Sequence, residues 1–326
     1  MQTRKPTTLG PSLSSPKRRG AGSRRAAETP FQPSVGAHAA ISVGLADVRR
    51  EPDAASELVT QARLWTPACC LELAPGWVRV RLPDYDGWVR ATEVDAPGRP
   101  SRQVAVVARY HDVPIFADPW SDVEVESAYI GTVLPLASIQ PPKPSERLAV
   151  RLPGARIGWV ARSVEAPCPR EQPFPPLGAI AAVSAAAPMM GVRYLWGGTS
   201  PRGIDCSGFS QLCWRVAGAT IPRDADQQYA AIPYVVARGD LRPGDLLFFA
   251  TNGRIDHVAL SFGGDWFIHA TGSVMRVTMN SLDPTANDYS PLLARMYAGA
   301  RRPMPEMPDM PVWPWARYRA SDKEVR

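Results

Sequence analysis

The feature that most limits how this chain can fold is an internal repeat. VRLPDYDGWVR, from Val80 to Arg90, recurs as VRLPGARIGWVAR, from Val150 to Arg162, and a segment that returns in this way is a supersecondary unit used twice. In each copy apolar and polar residues alternate ahead of the Gly-Trp pair, as in Trp77-Val78-Arg79-Val80-Arg81-Leu82. A period of two places successive side chains on opposite faces of a strand, and turn residues interrupt the pattern every few positions. The expectation is two related small antiparallel barrels, over 42–96 and 102–166, with Trp88 and Trp159 in their cores.

At 326 residues the chain is longer than one hydrophobic core usually serves. Residues 1–40 are rich in Pro, Ser, Gly and Arg and poor in apolar residues, a composition that predicts a disordered basic tail. The run APCPREQPFPPLG, from Ala166 to Gly178, predicts a Pro-rich linker over 167–178. Beyond it Ala179–Ala187 is helix-prone, and Asp245–Ala250, His257–Phe262, Trp266–Thr271 and Leu293–Ala298 read as strands. A third domain is expected over 179–302, with a Pro/Met-rich tail over 303–326. The predicted class is α+β.

The formal net charge is +6, with seven basic residues and no acidic one in the first 25 positions. The remainder carries 30 basic against 31 acidic residues, without the basic clustering that a phosphate-binding surface needs. Neither nucleic acid nor membrane is an expected partner, because no run approaches 18 apolar residues. The basic N-terminus leads into Pro, Ser and Gly rather than an apolar h-region, so the expected location is cytoplasmic, with export by a non-standard route left open. Five cysteines at irregular spacing, Cys69, Cys70, Cys168, Cys206 and Cys213, fit reduced thiols better than a disulfide framework or a metal site.

One of these cysteines stands apart. Phe209, Leu212, Cys213 and Val216 fall at helical spacing after RGIDCSGFS, which predicts an amphipathic helix ended by Gly218 and Pro222. Asp205 is a suitable N-cap, so Cys206 would occupy the first helical position, where free N–H groups and the helix dipole favour a thiolate. Cys213 would face the core. A buried structural thiol is the alternative for Cys206, and a general base would decide between them.

Two of the four histidines lie in DHVALSFGGDWFIHATG, Asp256 to Gly272. A three-residue hairpin loop at Gly263-Gly264-Asp265 sets Ala259 opposite His269 and His257 opposite Thr271. Both imidazoles then share a face as diagonal neighbours, whereas a two-residue loop would put them on opposite faces. With Cys206 they suggest a Cys–His–His triad, in which His257 takes the thiol proton and His269 fixes its tautomer. A zinc site from the same three residues is the rival, with an incomplete ligand set. No metal or cofactor is expected.

The repeats resemble bacterial SH3-like domains. The third segment resembles the NlpC family of papain-like cysteine peptidases, through YLWGG (Tyr194–Gly198), DCSGF (Asp205–Phe209), IPRDADQQ (Ile221–Gln228), RPGDLLFF (Arg242–Phe249), DHVAL (Asp256–Leu260) and FIHATG (Phe267–Gly272), in the family's order. Together these imply a papain-like cysteine peptidase domain preceded by two all-β SH3-like barrels. The architecture is similar to the γ-D-glutamyl-L-diamino acid endopeptidases of peptidoglycan recycling, of the dipeptidyl-peptidase VI type. That resemblance implies Cys206 as nucleophile, with its backbone N–H and the Tyr194 hydroxyl stabilising the oxyanion. It further implies substrate contacts from Asp205 and Ser207, and from Glu57 and Tyr85 in the first barrel, to a peptide with a free N-terminal alanine. The Pro141–Pro144 insertion departs from the usual pattern of the second repeat. A monomer acting on peptidoglycan-derived peptides is expected. The alternatives are a CHAP-like amidase or general wall hydrolase and, in another class, a wall-binding protein with a degenerate hydrolase.

Overall fold

The computed structural model describes residues 31–304, except 99, 109–111, 140, 142, 144 and 163. The expected tails therefore lie largely outside the described residues. Inside them, strand β1 (His38–Ile41) begins within the stretch expected as tail, and Phe31 packs on the first core.

The first repeat folds as a seven-stranded antiparallel sheet. After β1 come β2 (Leu45–Arg49), β3 (Leu58–Arg63), β4 (Pro67–Ala74), β5 (Trp77–Arg81), β6 (Asp86–Arg90) and β7 (Val94–Asp95), in the order β3-β2-β6-β5-β4-β1-β7. Alternation along the strands sends Ile41, Val48, Val59, Val78, Val80 and Val89 into a common core.

The second repeat contributes β8 (Gln103–Val106), β9 (Asp112–Phe116), β10 (Glu124–Tyr129), β11 (Val133–Pro135), β12 (Arg147–Arg151), β13 (Ile157–Ala161) and β14 (Glu165–Pro169). These form two sheets, β10-β9-β13-β12 and β11-β8-β14. Read end to end, they repeat the first unit's strand order with one break, between β12 and β11. There the first unit has a tight hairpin at Pro75-Gly76, and the second has the long connection containing the Pro141–Pro144 insertion, with a bridge at Leu136–Val150 and a hydrogen bond from the Ala137 N–H to the Ala149 carbonyl. The Gly-Trp signature has a steric origin. A Cβ on Gly87 would lie 2.6 Å from Val48 Cγ1, and one on Gly158 would lie 2.3 Å from Ile115 Cγ2. Trp88 and Trp159 are buried.

The expected linker is packed rather than free. Pro167–Pro169 belong to β14, Phe174 is buried, and Leu177 N–H donates to the Ala217 carbonyl. Apolar burial along this segment offsets the ordering entropy that its proline content already reduces.

The third segment has helices α1 (Ala179–Ala186), α2 (Cys206–Val216), α3 (Ala225–Ala231) and α4 (Pro291–Met296). Its short strands β15 (Thr199–Ser200) and β16 (Gly203–Ile204) pair with each other. A six-stranded sheet contains β17 (Val235–Val236), β18 (Leu246–Thr251), β19 (Arg254–Gly263), β20 (Trp266–Thr271), β21 (Arg276–Ser281) and β22 (Tyr297–Arg301), in the order β17-β22-β18-β19-β20-β21. Phe209, Leu212, Cys213 and Val216 of α2 join Phe248, Val258, Leu260 and Ile268 in one core, which is continuous with that of the second repeat. Leu247, Phe249, Ala259 and Phe267 form a second cluster. The expected strand at Leu293–Ala298 is instead mostly α4, whose Ser290 side chain caps the Leu293 N–H and whose Pro291 suits a first helical position.

The result is a mixed fold with much sheet and few helices. None of the helices among the described residues is long and apolar enough to cross a membrane.

Candidate active site

Asp205 caps α2 as the sequence suggests, accepting the Gly208 N–H at 2.7 Å. Cys206 follows at the first helical position and is buried, and a hydrogen bond from the Val258 backbone reaches its thiol. The cysteine therefore lies against the strand residue that follows His257. Against the thiolate expected at a helix terminus stands the cost of desolvation. Burial, reinforced by the Asp205 charge, pushes the Cys206 thiol up to about 12, so desolvation outweighs the helix terminus. Cys213 is buried in the core and its thiol is also raised by burial.

His257 and His269 meet, with Nε2 of the first 2.7 Å from Nδ1 of the second. The register expected from the hairpin holds for Leu260–Ile268 and Ser261–Phe267, but a bulge after Ser261 then pairs Gly263 with Trp266. The turn is thus the two-residue Gly264-Asp265, and the bulge restores the alignment that such a turn would have shifted.

A fourth member extends the line. His269 Nε2 lies 3.0 Å from Asn280 Oδ1, and Asn280 Nδ2 donates to the Asp288 carbonyl at 3.0 Å. Asn280 sits on β21 opposite Phe267, so it is a diagonal neighbour of His269 just as His269 is of His257. These contacts fix the protons. Since the Asn280 amide nitrogen faces a carbonyl, its oxygen accepts from His269 Nε2–H. His269 Nδ1 then accepts from His257 Nε2–H, leaving His257 Nδ1 with a lone pair. Phe249 and Phe267 flank the two imidazoles at centroid distances of 5.5 and 5.2 Å. Burial holds both rings neutral, lowering His269 to about 4 and His257 well below the usual imidazole value, with the neighbouring His269 charge a further cause for His257.

Tyr194 is half-buried beside Gly272, with its backbone N–H on the Met275 carbonyl. Burial raises its phenol, and the next cause is the charge of Cys206. The hydroxyl therefore stays protonated and can act as a donor.

Arg223 organises the other side. It is almost wholly buried and clasps Asp205 through both terminal nitrogens, at 3.0 and 2.6 Å, while also donating to Ser207 Oγ at 2.8 Å and Thr60 Oγ1 at 2.9 Å. Asp205 Oδ2 further accepts the Gly197 N–H at 2.9 Å. With about four lone-pair directions already used, Asp205 has little capacity left for the substrate ammonium expected of it.

The first repeat supplies the wall. Gly197 packs so tightly on β3 that a Cβ there would lie 2.2 Å from the Leu58 carbonyl oxygen. Thr199 N–H donates to Gln61 Oε1 at 3.1 Å. Glu57, exposed at the start of β3, accepts from Trp196 Nε1 at 2.9 Å and from Arg50 at 2.6 Å, and these two contacts lower its carboxyl, Arg50 foremost. Half-buried Tyr85 feels the charges of Asp224, Arg50, Arg223 and Glu57, although burial is the main cause of its raised phenol. Asp224, half-buried at the N-cap of α3, has its carboxyl raised by burial.

Sequence reasoning missed Arg223, Asp224, Trp196 and Asn280. The first three lie within IPRDADQQ and YLWGG, where type and order were legible but side-chain direction was not. Among the described residues no three His, Cys, Asp or Glu side chains are grouped to hold a metal.

Residues 191–294 match the NlpC/P60 family profile. The chain is 26% identical over 267 residues to a gamma-D-glutamyl-L-lysine dipeptidyl-peptidase of Bacillus cereus, covering 77% of each. It is 28% identical to a dipeptidyl-peptidase 6 of Lysinibacillus sphaericus, covering 73% of this chain and 89% of that one. A crystal structure of an NlpC/P60 family protein from Bacillus cereus superposes with a TM-score of 0.73 at 24% identity, over 82% of this chain and all of the other, and shares the fold. The chain carries an NlpC/P60 family domain and is a cysteine-type peptidase.

Proposed function

We propose that the chain hydrolyses the bond between the D-glutamate γ-carboxyl group and a diamino acid, diaminopimelate or lysine, in peptidoglycan stem peptides whose L-alanine amine is free. The observation that carries this reading is the end of the site formed by the first repeat. Glu57 hydrogen-bonds Trp196 beside the Asp205–Arg223–Ser207 cluster, and Tyr85 lies within reach of the charges of Glu57 and Asp224. Two carboxylates and a phenol suit an ammonium, while Asp205 acts through Arg223 and Ser207. The relatives, a gamma-D-glutamyl-L-lysine dipeptidyl-peptidase and a dipeptidyl-peptidase 6, support the same bond. The two repeats are then SH3-like barrels, a reading supported by their shared strand order, and cleavage of stem peptides already free of glycan suits a cytoplasmic recycling role.

In the reaction His257 Nδ1 takes the thiol proton as the sulfur attacks the γ-carbonyl carbon. Cys206 N–H and the Tyr194 hydroxyl donate to the developing oxyanion. His257 then passes its proton to the departing diamino-acid amine, leaving L-Ala-γ-D-Glu as a thioester. Water, deprotonated by His257, attacks that carbonyl and frees the thiol. Neutral resting partners mean that the ion pair forms within the reaction, while His269 and Asn280 hold the base in its reactive tautomer.

Mass spectrometry of the products from a defined muropeptide mixture tests the bond. Release of L-Ala-γ-D-Glu is expected. Cleavage at the glycan-linked amide or at a D-alanyl bond would replace this reading with an amidase or a general wall hydrolase.

A further inference from the structure

A cavity of about 310 Å3 lies away from the catalytic residues, where both repeats meet α2. This is near the lower end of small-ligand pockets, roughly 300 Å3. Arg63 of β3 and Arg215 of α2 line it together, held by successive carbonyls: Arg63 Nε donates to Ile130 and Arg215 Nε to Gly131, each at 2.8 Å. Arg63 also donates to the Thr199 carbonyl through Nη2. Neither guanidinium has a carboxylate in hydrogen-bonding contact among the described residues, and Arg63 Nη1 and both terminal nitrogens of Arg215 have no hydrogen-bond acceptor there. Asp84 is the one acidic lining residue, and its carboxylate accepts from Gln211 at 3.0 Å. Arg170 adds a third cation to the wall.

Two like charges held side by side on neutral carbonyls are unfavourable unless a counter-charge joins them. Burial, with the charge of Arg215 next in weight, lowers Arg63 to about 9, whereas Arg215 is exposed on the cavity wall, its Nε held by the Gly131 carbonyl and its terminal nitrogens open to a ligand. We propose that this junction cavity binds a small multivalent anion, an oxyanion of phosphate type or a short dicarboxylate, bridging Arg63 and Arg215. Planar guanidinium groups with free N–H pairs suit either ligand. The bound anion ties α2 to the strand that forms the substrate wall, and the ligand is distinct from the peptide substrate.

Isothermal titration of the full chain with inorganic phosphate and, separately, with succinate, at ionic strength held constant with sodium chloride, distinguishes the two sources. Saturable binding of at least one is expected, with Kd of about 1 mM or tighter. Arg215→Gln should weaken it at least about tenfold, the loss of one charge-assisted contact. Asp84→Asn should tighten it, because the competing negative charge is gone while an amide oxygen can still accept from Gln211. Should Arg215→Gln fail to fold, Asp84→Asn still decides. Absence of saturable binding, an unchanged Kd in Arg215→Gln, or no tightening in Asp84→Asn would overturn the proposal.

Discussion

Acid should weaken this protein before its carboxylates titrate, because the two catalytic-face imidazoles are buried neutral. An unfolded histidine takes up its proton near pH 6.5, whereas folded His269 does so only near 4. Between those values the unfolded chain binds more protons than the native one, so stability falls as the pH is lowered through the window and levels off below it. From pH 7 to pH 5, His269 alone accounts for roughly 2 kcal/mol. His257 is displaced in the same direction and adds to the loss. Urea denaturation followed by circular dichroism at pH 7, 6 and 5 measures the slope. The same series in His269→Gln isolates one titrating ring, since glutamine can accept from His257 without taking up a proton. A parent stability that is flat across the window, or an equal slope in the variant, would refute the neutral-pair assignment.

Cys206→Ala should abolish hydrolysis with the fold intact, as measured by turnover and thermal unfolding, while Cys213→Ala keeps the chemistry because its thiol is sealed in the core. Asn280→Leu should reduce kcat about 10- to 100-fold, since it strands the buried His269 N–H, a loss of about 1–3 kcal/mol, and releases the tautomer. Asn280→Gln should recover part of that activity, and parental kcat in the leucine variant would remove Asn280 from the relay. Gly197→Ala should lower stability by about 1–3 kcal/mol in urea unfolding, because the added methyl meets the Leu58 carbonyl at a position with φ +75°.

The repeat made the paired β units legible, because a period of two and a Gly-Trp close approach leave a mark in sequence. The helix after Asp205 was equally legible, from its cap and its apolar stripe. The His257–His269 register came out correctly through two compensating features, a shorter turn and a bulge at Phe262, and glycine spacing does not distinguish these from one longer turn. Asn280 escaped notice because β21 is short and mostly half-buried, with the pattern exposed, buried, intermediate, intermediate, intermediate, buried. Leu293–Ala298 misled by its apolar content, although Ser290-Pro291 ahead of it is a helix start. The thiol's protonation state was beyond the sequence altogether, since a helix N-terminus can be read from a motif but the depth of burial cannot. Arg223 belongs to the same class: its partners are 16 to 163 residues away along the chain.

The central claim is that the first repeat closes the cleft with an anionic end that requires a free amine. Its most direct measurement is kcat/KM for L-Ala-γ-D-Glu-diaminopimelate against the same peptide acetylated at its amine, in the parent, Glu57→Gln and Asp224→Asn. Losing a charge-assisted hydrogen bond to the ammonium costs about 1.5–3 kcal/mol before steric exclusion. The parent should therefore prefer the free peptide by more than about tenfold, and each variant should narrow the gap. Comparable rates on both peptides in the parent, or a gap unchanged by both substitutions, would contradict the claim.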